Sequence, residues 1–208
     1  MSLDTYANLK AAVIRFSGRD DLSDLLDDFI DLTEEKIYSN EMMPLRLRGF
    51  ETSSTLQTIA GTNAVALPTG YLQARSIALT SGGKEREMFF NSPSALPKKS
   101  GSGIPVSFTV EGDNLVFDVT PDGVYDIEFV YYGKPTALSS TNTTNFVLTN
   151  HPSIYLDGCL SELYSYTSEI QDSEAYFGKF IRSIKGAIRN DRTGRYINAQ
   201  GRVQGSTP

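Results

Sequence analysis

From the N-terminus, apolar and polar positions first recur with a helical period. Residues 4–17 (DTYANLKAAVIRFS) put Tyr6, Leu9, Ala12, Val13 and Phe16 on one face, and Gly18 follows where a helix end takes a left-handed residue. A second helix is predicted to open at Asp20 or Asp21, since aspartate caps well and acids suit the positive end of the helix dipole. Along it Leu22, Leu25, Leu26, Phe29, Ile30 and Ile37 share a face. Asp24, Asp27, Asp28, Asp31, Glu34 and Glu35 fall on the other side, and Pro44 marks the end of the stretch.

From Phe50 to about Tyr132 the period shortens. Segments such as NAVALP, RSIALT, VSFTVEG, NLVFDVT and YDIEFVYY are short, β-branched or aromatic, and several alternate. Turn signals separate them: Gly61-Thr-Asn63, Ser81-Gly-Gly83, Glu111-Gly-Asp-Asn114 and Pro121-Asp-Gly123. The pattern predicts an antiparallel meander, with Asn91–Gly103 (NSPSALPKKSGSG) as a flexible excursion within it. A polar run, residues 139–145 (SSTNTTN), then leaves the sheet.

Helical spacing returns at Pro152, a natural first helical residue, with Ile154, Leu156, Cys159, Leu160, Leu163 and Tyr166 on an apolar face. A last helix from about Asp172 carries Phe177, Phe180, Ile181, Ile184, Ala187 and Ile188 on one side. Lys179, Arg182, Lys185, Arg189 and Arg192 line the other. From Thr193 the chain (TGRYINAQGRVQGSTP) reads as an extended tail. Neither terminal helix pair can bury its apolar face alone. The expected fold is therefore α+β: a four-helix bundle formed by the N- and C-terminal helix pairs, with an inserted antiparallel β-rich domain and an extended C-terminal tail. The expected segments are residues 1–48 and 136–192 for the two halves of the bundle, 49–135 for the β domain and 193–208 for the tail.

Charge changes this picture. From Lys179 onward there are seven Lys or Arg against one acid, Asp191, a net +6 in a chain of formal charge −6, so the remainder carries −12. A hydrophobic content of 39% is that of an ordinary folded protein. The single cysteine, Cys159, excludes an internal disulfide and is expected to be a core thiol. The opening MSLDTYANLK lacks the features of a signal peptide, and no apolar run is long enough to span a bilayer; a soluble protein made in the cytoplasm is expected.

Candidate chemistry is sparse. One histidine, His151, and one cysteine make no zinc set, and His151 reads as a loop or capping residue. The acids of the second helix lack EF-hand spacing, and Ala78 stands where a P-loop before Gly83-Lys84 would need glycine. No cofactor, metal or catalytic constellation is expected, which leaves little support for a hydrolase.

The basic face has three readings. It could form surface ion pairs with the acidic second helix, each contributing about 0–1 kcal/mol. It could follow a DNA backbone over roughly 20 Å of helix without reading bases, in a nucleic-acid-binding accessory protein. The acidic body and the absence of interleaved aromatics oppose that reading. Third, the basic helix and its tail could dock on an acidic partner surface.

The order of blocks resembles the head-to-tail adaptor (connector) proteins of short-tailed bacteriophages. The resemblance runs through TYANLKAAVIRFSGRDDLSDLLDDFIDLTEEKIYSN, LRLRGFE, NAVALPTGYLQARSIAL, GIPVSFTVEGDNLVFDVTPDGVYDIEFVYYGKPTALS and NFVLTNHPSIYLDGCLSELYSYTSEIQDSEAYFGKFIRSIKGAIRNDR, most of residues 5–192. ALPTGYL, YYGKP.ALS and L..HP..YL.G.L.E are its most telling steps. It implies a non-enzymatic virion protein forming a ring of twelve copies beneath the portal, extending the DNA channel and offering a platform to tail or nozzle proteins. DNA would pass without sequence-specific binding. The resemblance further implies portal or inter-subunit docking through Lys179, Arg182, Lys185, Arg189, Arg192, Arg195, Tyr196, Ile197 and Arg202. An acidic inter-subunit face would comprise Asp24, Asp27, Asp28, Asp31 and Glu35.

Overall fold

The computed structural model describes residues 3–39 and 43–196. The fold is α+β, and the chain divides into two compact units: one from the stretches up to Gly49 and from Thr136 onward, the other from Phe50–Pro135.

The helical unit holds α1 (Tyr6–Ser17), a 3-10 segment (Asp20–Leu25), α2 (Leu26–Ser39), α3 (Phe146–Asn150), α4 (Pro152–Tyr166) and α5 (Ile170–Tyr196). Thr5 caps α1 by accepting from the Asn8 N–H, and Gly18 ends it at φ 70, the left-handed region an L side chain resists. The second helical stretch does begin at Asp20, but its first six residues wind as 3-10 before the α-helix sets in at Leu26. Helix α4 is the hub, packing against α1, α2, α3 and α5. It can do so because Gly158 lets α2 come close. A Cβ there would fall inside the van der Waals shell of the Thr33 methyl. Ser161 and Ser173 tie α4 to α5 reciprocally, each hydroxyl donating to the other residue's carbonyl at 3.1 and 3.0 Å.

Three expectations need correction here. Tyr166, placed on the apolar face of α4, is 62% exposed, whereas Tyr155 is fully buried. Glu34, placed on the solvent side of α2, is 2% exposed. Its carboxylate accepts from the Tyr155 hydroxyl at 2.7 Å and the Leu138 N–H at 2.9 Å. Finally, the break expected at Thr193 is displaced: α5 continues to Tyr196, with the Thr193 hydroxyl turned back onto the Arg189 carbonyl at 3.0 Å. Residues 197–208 lie outside the described part of the chain.

The second unit contains β1 (Glu51–Gln57), β2 (Ala64–Ala66), β3 (Tyr71–Ser81), β4 (Lys84–Glu87), β5 (Phe89–Phe90), β6 (Ser102–Gly103), β7 (Ser107–Glu111), β8 (Asn114–Phe117), β9 (Thr120–Pro121) and β10 (Asp126–Gly133). The expected meander is not what forms. Strands pair in the orders β1-β10-β3-β4 and β2-β8-β7-β5, with a small β6-β9 pair, so β10 inserts between β1 and β3. Most pairs are antiparallel; β5–β7 and β6–β9 are parallel. Inward residues of both large sheets share one apolar core: Ile77, Leu79, Ile127, Phe129 and Tyr131 from one, Phe108, Leu115 and Phe117 from the other. The pleat explains the selection, since β10 alternates exposed and buried positions from Asp126 to Phe129.

Nor is Asn91–Gly103 a loose excursion. Leu96 is buried, and Lys99 is fixed twice to Asp118, through its backbone N–H at 2.8 Å and its ammonium at 2.6 Å. The Asp118 carboxylate also accepts from the Val106 and Ser107 N–H groups at 3.1 and 3.2 Å. Burial raises the cost of its charge, yet the Lys99 ammonium and the two amides prevail and hold it below the ordinary carboxylate range.

Candidate interaction surfaces

Helix α5 is amphipathic along its length. Phe180, Ile184 and Ala187 are buried, and Phe177, Ile181 and Ile188 are half-buried. Lys179, Arg182, Lys185, Arg189 and Arg192 are all exposed, as their 3- and 4-residue spacing requires of the opposite side. None of the five makes an ion pair with another described residue. Asp157 on α4 is half-buried; burial lifts its carboxyl, while the Ser183 hydroxyl, Lys179 and Arg182 pull it back. Lys179 stands 3.8 Å over the ring of Tyr176, which itself stacks on Tyr164. An aromatic therefore does accompany the first cation, contrary to the reading from spacing. The side chains of Arg195 and Tyr196, on the last turn, are outside the described set, as are Ile197 and Arg202 entirely.

On the other charged surface, Asp24, Asp27, Asp28, Asp31 and Glu35 are exposed. Asp27 is engaged within the unit, held by Lys10 at 2.6 Å and by Tyr6, which together keep its carboxyl low. Asp24, Asp28, Asp31 and Glu35 make no ion pair with a described residue. Of the three readings of the basic face, the intramolecular one, α2 acids pairing with the α5 cations, has no ion pair among the described residues. Leu32, 43% exposed, lies among these acids.

In the sheet unit a groove of about 520 Å³ opens between β3 and the β4–β5 edge, lined by Tyr71, Met88, Phe89, Phe90, Phe108 and Val110 among others. Phe89 and Phe90 are 63% and 62% exposed, so this is an apolar surface and not a closed core. No repeated spacing distinguished these phenylalanines from core strand residues.

The groups that might have supported chemistry are occupied by structure. Cys159 is buried beside Thr33, and burial pushes its thiol up to about 12, too high for a nucleophile. His151 sits between α3 and α4, edge-on to Phe146. Burial lowers its imidazole, partly opposed by Asp191. Asp191 itself pairs with Arg48 at 3.1 Å. Among the described residues no group of three or more His, Cys, Asp or Glu could hold a metal. No helix among them is long and apolar enough to cross a membrane.

With helical and sheet units and two ridges of opposite charge in place, comparison with known families is decisive. The model of the SU10 adaptor protein family matches residues 4–204. The chain belongs to that family. Its members are phage head-to-tail adaptors, so this adaptor is a structural protein of the bacteriophage virion, working with portal and tail proteins. None of the curated proteins searched matches it.

Proposed function

We propose that this protein forms a ring, of twelve copies, below the portal at the head-to-tail interface, extends the DNA channel there and offers a docking platform to tail or nozzle proteins. DNA passes through without sequence-specific binding. The chain is made in the host cytoplasm and its role is structural, not catalytic. Its frame is the helical bundle of the two terminal segments. The α5 stripe, Lys179, Arg182, Lys185, Arg189 and Arg192, with Arg195 and Tyr196 on its last turn and Ile197 and Arg202 after it, serves portal and inter-subunit docking. Asp24, Asp27, Asp28, Asp31 and Glu35 serve the neighbouring copy. The observation that carries this reading is a row of exposed cations that pair with no described acid, in a member of an adaptor family.

Sedimentation velocity tests it, with the chain alone and then with portal rings of the same phage. A small species that becomes a stoichiometric set on each portal is expected, and a chain shortened after Tyr196 should lose that attachment while keeping its fold. A protein whose sedimentation ignores the portal overturns the assignment. The spacing of the cations supports a second reading, an accessory protein that binds nucleic acid. It requires DNA retardation that falls steeply with salt and disappears in R182E/R189E.

A further inference from the structure

Two four-residue patterns in the helical unit are counterparts. On α2, Asp28, Asp31, Leu32 and Glu35 stand at i, i+3, i+4 and i+7, which places an exposed leucine in the middle of three exposed acids. On α5, Arg182, Lys185, Gly186 and Arg189 stand at the same four offsets, with a glycine in the middle of three exposed cations. One ridge has a knob ringed by negative charge; the other has a hole ringed by positive charge.

Nothing among the described residues explains the glycine. Gly186 lies inside a helix, where glycine costs stability relative to alanine. A Cβ placed there would meet nothing within 4 Å, and its φ is not positive. Gly178, two turns earlier, is likewise in open space. Contrast Gly158, whose missing Cβ is required by Thr33 of the neighbouring helix.

We infer that the α2 ridge of one copy docks antiparallel on the α5 stripe of a second copy. Leu32 of one seats over Gly186 of the other, while Asp28, Asp31 and Glu35 face Arg189, Lys185 and Arg182. The occupant is a second copy because complementary charge, equal spacing and knob and hole are all present in one sequence. Packing a side chain into the space between four residues of a facing helix is the ordinary way helices associate closely. Because the two patches differ, each copy has one of each to offer, and the contact runs head to tail, closing into a ring where the rotation permits. The inference rests on the adaptor reading and specifies which faces meet.

The test uses the full chain in complex with portal rings. Chains carrying Leu32→Cys and Gly186→Cys are mixed one to one, loaded and mildly oxidised. A disulfide-linked dimer is expected from the mixture and from neither chain alone, since Cys159 is buried. Loading on the portal without a mixed dimer overturns the inference and leaves the adaptor reading intact. Failure of the wild-type chain to load overturns the adaptor reading instead, and a mixed dimer formed at high concentration without portal would still support the pairing. Gly186→Leu fills the hole without an internal clash, so its thermal midpoint should hold or rise while portal loading weakens at least tenfold. Unchanged loading would count against the pairing. D28K/E35K and R182E/R189E should each block loading, and the chain carrying all four changes should recover it. Retained loading in either double variant, or no recovery in the quadruple, overturns the inference.

Discussion

The two units of this protein both bury a carboxylate, and they use it differently. In the helical unit Glu34 comes from the middle of a helix, and its partners, Leu138 and Tyr155, lie more than 100 residues away in sequence. Asn145, which caps α3, donates to the same Tyr155 hydroxyl at 2.7 Å, so one network joins α2, α3, α4 and the segment that enters α3. In the sheet unit Asp118 binds partners within 20 residues, Lys99, Val106 and Ser107, and pins a local crossing beside the apolar core. The helical unit thus uses its buried carboxylate to join segments far apart in sequence, whereas the sheet unit uses its own to fix a local crossing.

Glu34→Ala should break that contrast most. It strands the Tyr155 hydroxyl and the Leu138 amide in the interior, at about 4 kcal/mol for two buried unsatisfied groups and a small cavity. Glu34→Gln keeps an acceptor and should cost less than half as much. Chemical denaturation measures both, and an Ala variant close to wild type would show the network to be incidental. Gly158→Val comes next, at about 3 kcal/mol, because a branched side chain forces α2 from α4. Its loss should register as faster amide exchange in both helices.

Asp118→Asn should cost about 2 kcal/mol by removing the charge that Lys99 and two amides satisfy. Because the folded carboxyl lies below its ordinary value of 3.8, the contribution is present above about pH 4 and is lost as the pH falls through the lower folded value. Exchange protection of β7 and β8 should fall in that window for wild type, and much less for the variant.

The smallest effect belongs to His151. Its imidazole is held below 6.5 chiefly by burial, so the unfolded chain takes up a proton first and stability falls as the pH drops from 6.5 toward the folded value. Thermal melts at pH 7 and pH 5 should differ by a degree or two more for wild type than for His151→Gln. Equal differences would remove His151 from the acid response.

Much of the helical unit was legible because periodicity reports burial directly. Leu9, Val13, Phe29, Ile30, Leu160 and Ile184 all lie on the expected faces and are buried. Glu34 was not legible, since nothing in a helical wheel says that a tyrosine from another helix will satisfy an acid. The short α3 escaped notice because five residues are too few to show a period. In the sheet unit the strands could be found but not their order. Alternation tells which face a residue takes and is silent about which strand lies beside it, so the placing of β10 between β1 and β3 had no local signature. The interior site of Leu96 and the Lys99–Asp118 contact likewise arise from a crossing of segments, not from the composition of NSPSALPKKSGSG.

By itself the sequence determined the type of most elements and the charge polarity of two helices, because each depends on residues a few positions apart. Only the tertiary structure decided which acid is buried, which strands pair and which charges remain without a partner. Those outcomes depend on distances between residues far apart in the chain, and on whether the groups that meet there satisfy one another.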